Sequence, residues 1–155
     1  MHLAKHAFPG GYVGSLEIIK HPGAALILPF LGRDKIVFIR QYRPVIGGYI
    51  WELPAGTRKQ KESLLACARR ELQEETGYCA SRMAKVGHIY PAPGYTTEKI
   101  AIYKAEGLRL SKAVQEKDED IPTRVLDRLR VRQMVRKGRI VDAKTICALA
   151  LAHVI

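Results

Sequence analysis

The chain has 155 residues, of which 26 are Lys or Arg and 15 are Asp or Glu, so its formal net charge is +11. An apolar fraction of 47% and a charged fraction of 26% exclude a disordered or fibrous chain, and the length fits one globular domain over residues 1–155. The longest apolar runs, 24–31 and 146–155, are shorter than the ~20 residues of a membrane helix, so no membrane partner is expected.

The first half of the chain predicts β-strands. Short segments rich in Ile, Val and aromatic residues are separated by turns that contain Gly, Asp or Pro, which is typical of strands. The predicted strands cover residues 24–28, 35–42, 49–53, 85–90 and 99–105.

Three helices are predicted. The first covers Leu64–Thr76, with Ser63 placed to cap its start and Gly77 to end it. A second covers about 131–137, and a third runs from near Ala143 to the C-terminus. Strands followed by a helix, further strands and two helices predict a mixed α/β sandwich.

Three acidic side chains share one face of the first helix. Glu71, Glu74 and Glu75 stand at spacings i, i+3 and i+4, so their carboxylates are neighbours and repel one another. A hard divalent cation would reverse that repulsion, and oxygen ligands suit Mg²⁺ or Mn²⁺. Taken alone, the cluster is more typical of an ordinary solvated helix face than of a metal site.

The wider segment resembles the Nudix box. That box is Gly, five residues, Glu, seven residues, then Arg-Glu-apolar-any-Glu-Glu-any-Gly-apolar. Its fixed positions are filled here by Gly56, Glu62, Arg70, Glu71, Glu74, Glu75 and Gly77. Tyr78 is the one departure, since an aliphatic residue is usual there.

The resemblance implies the Nudix fold, an α/β/α sandwich around a mixed β-sheet with the box as loop-helix-loop. It implies that Mg²⁺, or else Mn²⁺, is bound by the carboxylates of Glu71, Glu74 and Glu75 and by the main-chain carbonyl of Ala55. The metal would polarise a phosphoryl group and activate the attacking water.

The remaining box residues have structural roles in the family. Arg70 and Glu62 resemble the ion pair that braces the loop against the helix. Gly56 and Gly77 permit the backbone turns at its two ends.

Three segments outside the box are similar to one branch of the family, the ADP-ribose and nucleoside-diphosphate-sugar pyrophosphatases. They are Gln-Tyr-Arg-Pro at 41–44, Trp-Glu-Leu-Pro-Ala-Gly at 51–56 and Ala-Pro-Gly-Tyr-Thr-Thr-Glu at 92–98; residues 138–145 also resemble the closing helix of these enzymes. The resemblance implies metal-dependent hydrolysis of ADP-ribose to AMP and ribose 5-phosphate, or of a related nucleotide sugar. The candidate substrate-binding residues are Arg43, Trp51, Glu52, Thr57, Pro93, Gly94, Tyr95 and Glu98.

Several of these candidates have a second interpretation. Arg43 is either a phosphate contact, for which its planar fork is suited, or an exposed cation at a strand end. Trp51 is core filler or a contact for the base or a dimer partner, and Tyr95 stacks on adenine or packs its own loop. Glu98 binds substrate or metal, or is a surface charge.

The general base is the least defined role. In this branch it is a glutamate of a loop after the box, and the matching loop here is 115–120. Glu119, just before Ile121, is the first candidate and Glu116 the second, while a solvated acidic loop is the alternative. Glu75 completes the set of catalytic candidates.

Two other functions are weighed against this one. A Nudix enzyme acting on RNA 5′ ends or dinucleoside polyphosphates would suit the net charge of +11, but nucleic acid is not the favoured partner because the flanking motifs resemble the nucleotide-sugar branch. A Nudix-fold binding module without catalysis is expected to have lost box carboxylates, and none is lost here.

Partners and location follow from the resemblance and from composition. Members of the branch are typically homodimers, and residues 1–20 could supply a strand arm to such a dimer. Three cysteines without metal-ligand spacing, and no signal peptide in the first ten residues, predict a cytoplasmic protein. The basic run at 124–139 is interpreted as a solvated or interface surface rather than an RNA-binding patch, because no aromatic residues alternate with its arginines.

Overall fold

The computed structural model describes residues 2–111 and 122–155. It contains nine strands, three α-helices and a short 3-10 helix at Pro44–Ile46 within those ranges. The elements in chain order are β1 (His2–Ala7), β2 (Val13–Ile18), β3 (Ala24–Leu31), β4 (Lys35–Arg43), β5 (Gly48–Glu52), β6 (Ala55–Thr57), α1 (Leu64–Thr76), β7 (Tyr78–Ile89), β8 (Ile100–Leu110), β9 (Thr123–Asp127), α2 (Arg128–Arg136) and α3 (Ala143–Leu151).

The strands form two sheets. β1 and β2 make an antiparallel hairpin, and the other seven strands make a mixed sheet with the path β5-β4-β3-β8-β7, in which β6 pairs with β3 and β9 with β4. Only the pairing of β3 with β8 is parallel; the remaining pairs are antiparallel. This confirms the expected mixed α/β architecture.

Strand β3 lies at the centre and is buried on both faces. Because successive side chains of a strand point to opposite sides, Leu26 and Leu28 pack in one hydrophobic cluster while Ala25 and Ile27 pack in the other. The first cluster includes residues of α2 and α3, and the second includes residues of α1. The sheet is therefore enclosed between α1 on one side and α2 with α3 on the other.

Helix α1 has the bounds that its capping residues predict. Ser63 Oγ accepts a hydrogen bond from Ala66 N at 3.1 Å, and Gly77 adopts φ 72° and donates to Gln73 O. Both termini of the helix that carries the three glutamates are thus fixed by local sequence.

Other bounds differ from the sequence expectation. β7 begins at Tyr78 rather than near 85, and none of its residues is fully buried, which explains why an apolar alternation is weak there. β9 was not predicted, and α2 starts at Arg128 because Asp127 Oδ1 accepts from Arg130 N at 2.8 Å. α3 ends at Leu151, two residues before His153, whose φ is 54°.

Part of the basic run holds the C-terminal segment. Arg128 Nη2 donates to His153 O at 2.7 Å, and Arg132 Nε donates to Val154 O. These arginines satisfy main-chain carbonyls just beyond α3, which is an ordinary structural use of a cation near a helix end. Within the described ranges, no helix has the length and apolar character needed to cross a membrane.

Candidate active site

A cleft of about 450 Å³ opens beside the start of β3. Its lining comes from four places: the segment 55–63, which contains β6 and leads into α1 and is called the box loop below, the end of β4, the segment between β7 and β8, and the start of α3. The lining residues are Ala24, Arg43, Ala55, Gly56, Thr57, Pro91, Glu98, Ile100, Asp142, Ala143 and Lys144.

Arg70 organises the acidic face of α1 beneath this cleft. Its Nη1 lies 2.6 Å from Glu71 Oε1 and 2.7 Å from Glu74 Oε2, while its Nε lies 2.9 Å from Glu62 Oε1. Its Nη2 also donates to Thr57 O at 3.2 Å. One guanidinium therefore joins the helix carboxylates to the loop that precedes the helix.

These charge-assisted hydrogen bonds shift the pKa values of both Glu62 and Arg70. The hydrogen bond from Arg70 lowers the pKa of Glu62 to about 2, with a further contribution from the main-chain N–H of Lys59, 2.9 Å from Glu62 Oε2. The carboxylate of Glu62 in turn raises the pKa of Arg70 above its usual value. Both groups are ionised at neutral pH, so the brace between loop and helix is a full ion pair.

The loop approaches α1 so closely that only glycine fits at position 56. A Cβ added to Gly56 would overlap the carboxyl carbon and both oxygens of Glu71, which is itself 9% exposed. Next to it, Ala55 N donates to Glu75 Oε2 at 2.8 Å. Strand β6 thus lies directly against two of the three predicted metal ligands.

The donor chemistry of this face suits a divalent ion. Glu71, Glu74 and Glu75 offer only carboxylate oxygens, which hard cations such as Mg²⁺ and Mn²⁺ prefer. In the parts of the chain that the structure describes, no three acidic, His or Cys side chains converge closely enough to hold a metal. Two of the carboxylates are instead drawn to Arg70.

The opposite wall is built around a buried carboxylate. Glu52 is 1% exposed and binds Arg43 in a bidentate pair, with both N–O distances 2.7 Å. Lys144 Nζ donates to the same carboxylate at Oε2 and to Asp142 Oδ1. Burial opposes ionisation of Glu52, but the hydrogen bonds from Arg43 and Lys144 outweigh it and hold its pKa below the usual range.

The third side of the cleft joins the box loop to the segment after β7. His21 Nδ1 accepts from Gly23 N at 3.1 Å, and its Nε2 lies 3.4 Å from Thr57 Oγ1 and 3.9 Å from Glu98 Oε1. Thr97 Oγ1 accepts from His21 N at 2.9 Å. His21 therefore links the two loops that carry Thr57 and Glu98.

The predicted site residues fall into three groups. Arg43, Ala55, Thr57 and Glu98 line the cleft, as does Gly56. Glu62, Arg70 and the three helix glutamates lie beneath the box loop, and Glu52 lies behind Arg43. The candidate general bases Glu116 and Glu119 lie outside the described residues.

Five predicted substrate-binding residues are absent from the lining of this cleft: Glu52, which lies behind Arg43, and Trp51, Pro93, Gly94 and Tyr95. Pro93, Gly94 and Tyr95 are exposed on the loop before β8, and the Tyr95 side chain is 59% exposed. Trp51 lies in a separate groove, with its ring 5.9 Å from Arg40 Cζ, and also packs against the core.

Sequence reasoning missed Asp142 and Lys144, which line the cleft, and His21, which contacts the lining residues Thr57 and Glu98. His21 stands between the hairpin and β3 without any motif spacing. Asp142 and Lys144 lie in the segment 138–145, whose resemblance to the closing helix of the branch was the only available signal. Asp142 contacts its neighbours Lys144 and Thr145, whereas Lys144 also binds Glu52, which is 92 positions away in the sequence.

The chain is similar to known proteins over most of its length. A family model described as NUDIX domain matches residues 20–146. The chain is 35% identical over 146 residues to an ADP-ribose pyrophosphatase of Bacillus subtilis (strain 168), spanning 91% of this chain and 77% of that protein. It is 33% identical over 140 residues to a GDP-mannose pyrophosphatase of Salmonella arizonae, spanning 84% of this chain and 73% of that protein.

A solved structure described as that of an ADP compounds hydrolase superposes with a TM-score of 0.84. The match covers 97% of this chain and 82% of that chain at 23% sequence identity. At that identity the likeness shows a shared fold.

Replacement of Gly56 by Ala tests the close approach of the loop to Glu71. The added methyl group must displace the Glu71 carboxylate, so we expect a loss of ~1–3 kcal/mol in the free energy of unfolding together with a loss of hydrolytic activity. Urea unfolding and initial rates measure the two effects. G48A is the matched control, because the nearest atom to an added Cβ there is Ile46 O at 4.0 Å. Equal behaviour of G56A and G48A would show that the loop can move away without cost.

The Arg70–Glu62 ion pair predicts that part of the free energy of unfolding is lost at acidic pH. Because the folded-state pKa of Glu62 is lowered to about 2, its stabilising contribution is complete above the unfolded value of ~4.3 and is lost as pH falls towards 2. E62Q should therefore be less stable than the wild type at pH 7, and the difference should shrink between about pH 5 and pH 2. Urea unfolding across this range measures it; a difference that stays constant with pH would contradict the assignment.

Proposed function

The chain belongs to the Nudix family of hydrolases, and from that premise we propose that it hydrolyses the pyrophosphate bond of ADP-ribose, giving AMP and ribose 5-phosphate, or that of a related nucleoside diphosphate sugar. The observation that carries this proposal is the cleft between the box helix and the Arg43–Glu52–Lys144 cluster. Strand β6, which lines the cleft, lies against α1 carboxylates that suit a metal, and Arg43 and Lys144, which suit a diphosphate, line the same cleft. The names of the two relatives support this substrate class.

Nudix hydrolases in general use divalent metal ions, and we propose Mg²⁺ here, with Mn²⁺ as the second choice. Glu71, Glu74 and Glu75 would hold it, together with the main-chain carbonyl of Ala55. When bound, the ion neutralises charge on the transferring phosphoryl group and lowers the pKa of the attacking water. Arg70 restrains two of these carboxylates, which limits how far they must move to become ligands.

The chain's own residues orient the substrate in this proposal. The exposed part of the Arg43 guanidinium binds diphosphate oxygens, while buried Glu52 fixes the direction of the guanidinium. Thr57 and Glu98, on the other side of the cleft, contact the sugar or the remaining phosphate oxygens. Trp51 and the loop of Pro93, Gly94 and Tyr95 are proposed to contact the nucleobase.

A carboxylate must accept the proton of the attacking water. Glu119, or else Glu116, is proposed for this role from the family resemblance, with Glu75 as the third candidate. A base works only within hydrogen-bond reach of the proton it removes. The reaction adds one water across the P–O–P bridge and leaves one phosphoryl group on each product.

A homodimer is the proposed assembly, with residues 1–20 as an arm on a single Nudix domain. Support comes from the β1–β2 hairpin, which exposes large apolar side chains that its own chain does not cover. Leu3, Tyr12 and Val13 are 67%, 70% and 58% exposed. An apolar hairpin that protrudes from the main sheet is well placed to pack on a second copy.

A cytoplasmic location is proposed from cysteine chemistry. Cys67, Cys79 and Cys147 are all free thiols in the structure. Thiols without disulfide partners are typical of proteins in a reducing compartment.

The function is tested by a hydrolysis screen with Mg²⁺ and Mn²⁺ and with product masses as the readout. The panel contains ADP-ribose, GDP-mannose, UDP-glucose, dinucleoside polyphosphates and 5′-triphosphorylated RNA. We expect AMP and ribose 5-phosphate from ADP-ribose, or the matching products from one nucleotide sugar. Cleavage of RNA ends alone would overturn the substrate class and leave the fold intact.

The substitution E75Q separates metal chemistry from folding in the same screen. Glutamine retains an oxygen that can accept the Ala55 N–H, but it removes the ligand charge. We expect kcat to fall by more than ~100-fold while the midpoint of thermal unfolding stays close to that of the wild type. E106Q is the control, because Glu106 pairs with Arg82 and Lys104 away from the cleft. Activity of E75Q within a few-fold of E106Q would make the metal assignment wrong.

The dimer is tested by matched substitutions of leucine. L3D places a charge on the apolar hairpin and should shift the protein from dimer to monomer in sedimentation velocity. L110D changes an equally exposed leucine at the end of β8 and should leave the dimer intact. A monomeric wild type at micromolar concentration would refute the proposed assembly.

A further inference from the structure

Lys144 stands at the mouth of the cleft next to Arg43, at the second position of α3. Both residues line the same cavity, and both bind the carboxylate of Glu52. Lys144 approaches from the far end of the chain, 92 residues away from Glu52. The pairing of two cations on one wall is therefore a product of the tertiary fold.

Glu52 holds the two cations in a fixed relation. Arg43 Nη2 and Lys144 Nζ both donate to the same oxygen, Glu52 Oε2, so the two nitrogens are at most about 5 Å apart. Since Glu52 is 1% exposed, its charge cannot turn to solvent, and separating it from its cations would leave a buried unpaired charge. The geometry of the pair is consequently restrained before any ligand arrives.

Both cations line the cleft and have more donors than their carboxylate partners use. The bidentate pair uses two of the five guanidinium N–H groups of Arg43, whose side chain is 44% exposed. Glu52 and Asp142 take two of the three protons of the Lys144 ammonium, and its side chain is 19% exposed. Asp142 also caps α3 by accepting from Thr145 N at 3.0 Å.

The cluster carries as many cations as carboxylates. Arg43 and Lys144 balance Glu52 and Asp142, so an anionic ligand that used the remaining donors would meet no net negative charge there. A planar fork beside a compact ammonium offers separate partners for two adjacent phosphoryl groups. A monophosphate could occupy only one of them fully.

We propose that Lys144 is a second diphosphate-binding residue, which contacts one phosphoryl group while Arg43 contacts the other, and that Glu52 is the positioning residue for both. This inference rests on the proposed function, because it assigns the diphosphate of that substrate class to this wall of the cleft. It adds a residue to the site and predicts selectivity for a diphosphate over a monophosphate.

The test is a calorimetric titration without divalent metal, so that no turnover occurs. ADP-ribose, AMP and adenosine are titrated into the wild type, K144M, K144R and E52Q. K144M should bind ADP-ribose ~10–100-fold more weakly, since a hydrogen bond to a charged group is lost, whereas adenosine affinity should not change. K144R should recover most of the loss, and E52Q should lower the preference for ADP-ribose over adenosine.

Two controls separate binding from folding. K137M removes an exposed lysine just after α2 that does not line the cleft, and it should bind all three ligands as the wild type does. The double variant E52Q/K144M should lose less than the sum of the single losses, because Lys144 is no longer held in place. Should K144M not fold, K144Q and K144R supply the comparison.

The outcomes also distinguish this inference from the proposed function. Equal ADP-ribose affinity in K144M and the wild type, equal losses for ADP-ribose and adenosine, or no binding by the wild type at millimolar ligand would each overturn the role of Lys144. Hydrolysis of ADP-ribose could still occur in all of those cases. Conversely, Lys144-dependent binding without hydrolysis would refute the function and leave the subsite standing.

Discussion

The cleft depends on the contact between the backbone at Gly56 and the carboxylate of Glu71. No side chain fits between them, so β6 lies flat on the acidic face of α1, where Ala55 N can reach Glu75 and Thr57 O can reach Arg70. Arg70 then fastens the loop to the helix through Glu62. The ion pair and the close approach support each other, because each holds the loop at the distance that the other requires.

Strand β3 explains why the walls of the cleft meet where they do. Ala24, its first residue, pairs with Thr57 of β6 on one side and with Ile100 of β8 on the other. The box loop and the segment that carries Glu98 therefore reach the same point from opposite sides of one buried strand. His21, which precedes that strand, bridges the two by hydrogen bonds. The burial of β3 on both faces fixes this arrangement to the core.

Local sequence features predict the box helix. Contacts between residues that are distant in the sequence leave no such local pattern and were not predicted. The bounds of α1 follow from Ser63 and Gly77, and the spacing of its glutamates fixes the face they share. Strand β9 was not predicted because it is recognisable only through its pairing with β4. The role of Lys144 in the cleft was not predicted for the same reason, since its partner Glu52 belongs to a strand that is distant in the sequence. A lysine near the start of a predicted helix carries no sign of which carboxylate it will contact.

Part of the net charge of +11 is explained by contacts within the fold. Arg128 and Arg132 bind main-chain carbonyls near the C-terminus, and Arg70 is enclosed by carboxylates, so a share of the basic residues is engaged within the fold. The carboxylates of Glu71 and Glu75 lie against β6, which lines the cleft, and Arg43 and Lys144 line the same cleft. A metal ion held by the α1 carboxylates and a diphosphate held by the two cations would attract one another. Substrate and metal are then expected to bind cooperatively, since their charges are opposite.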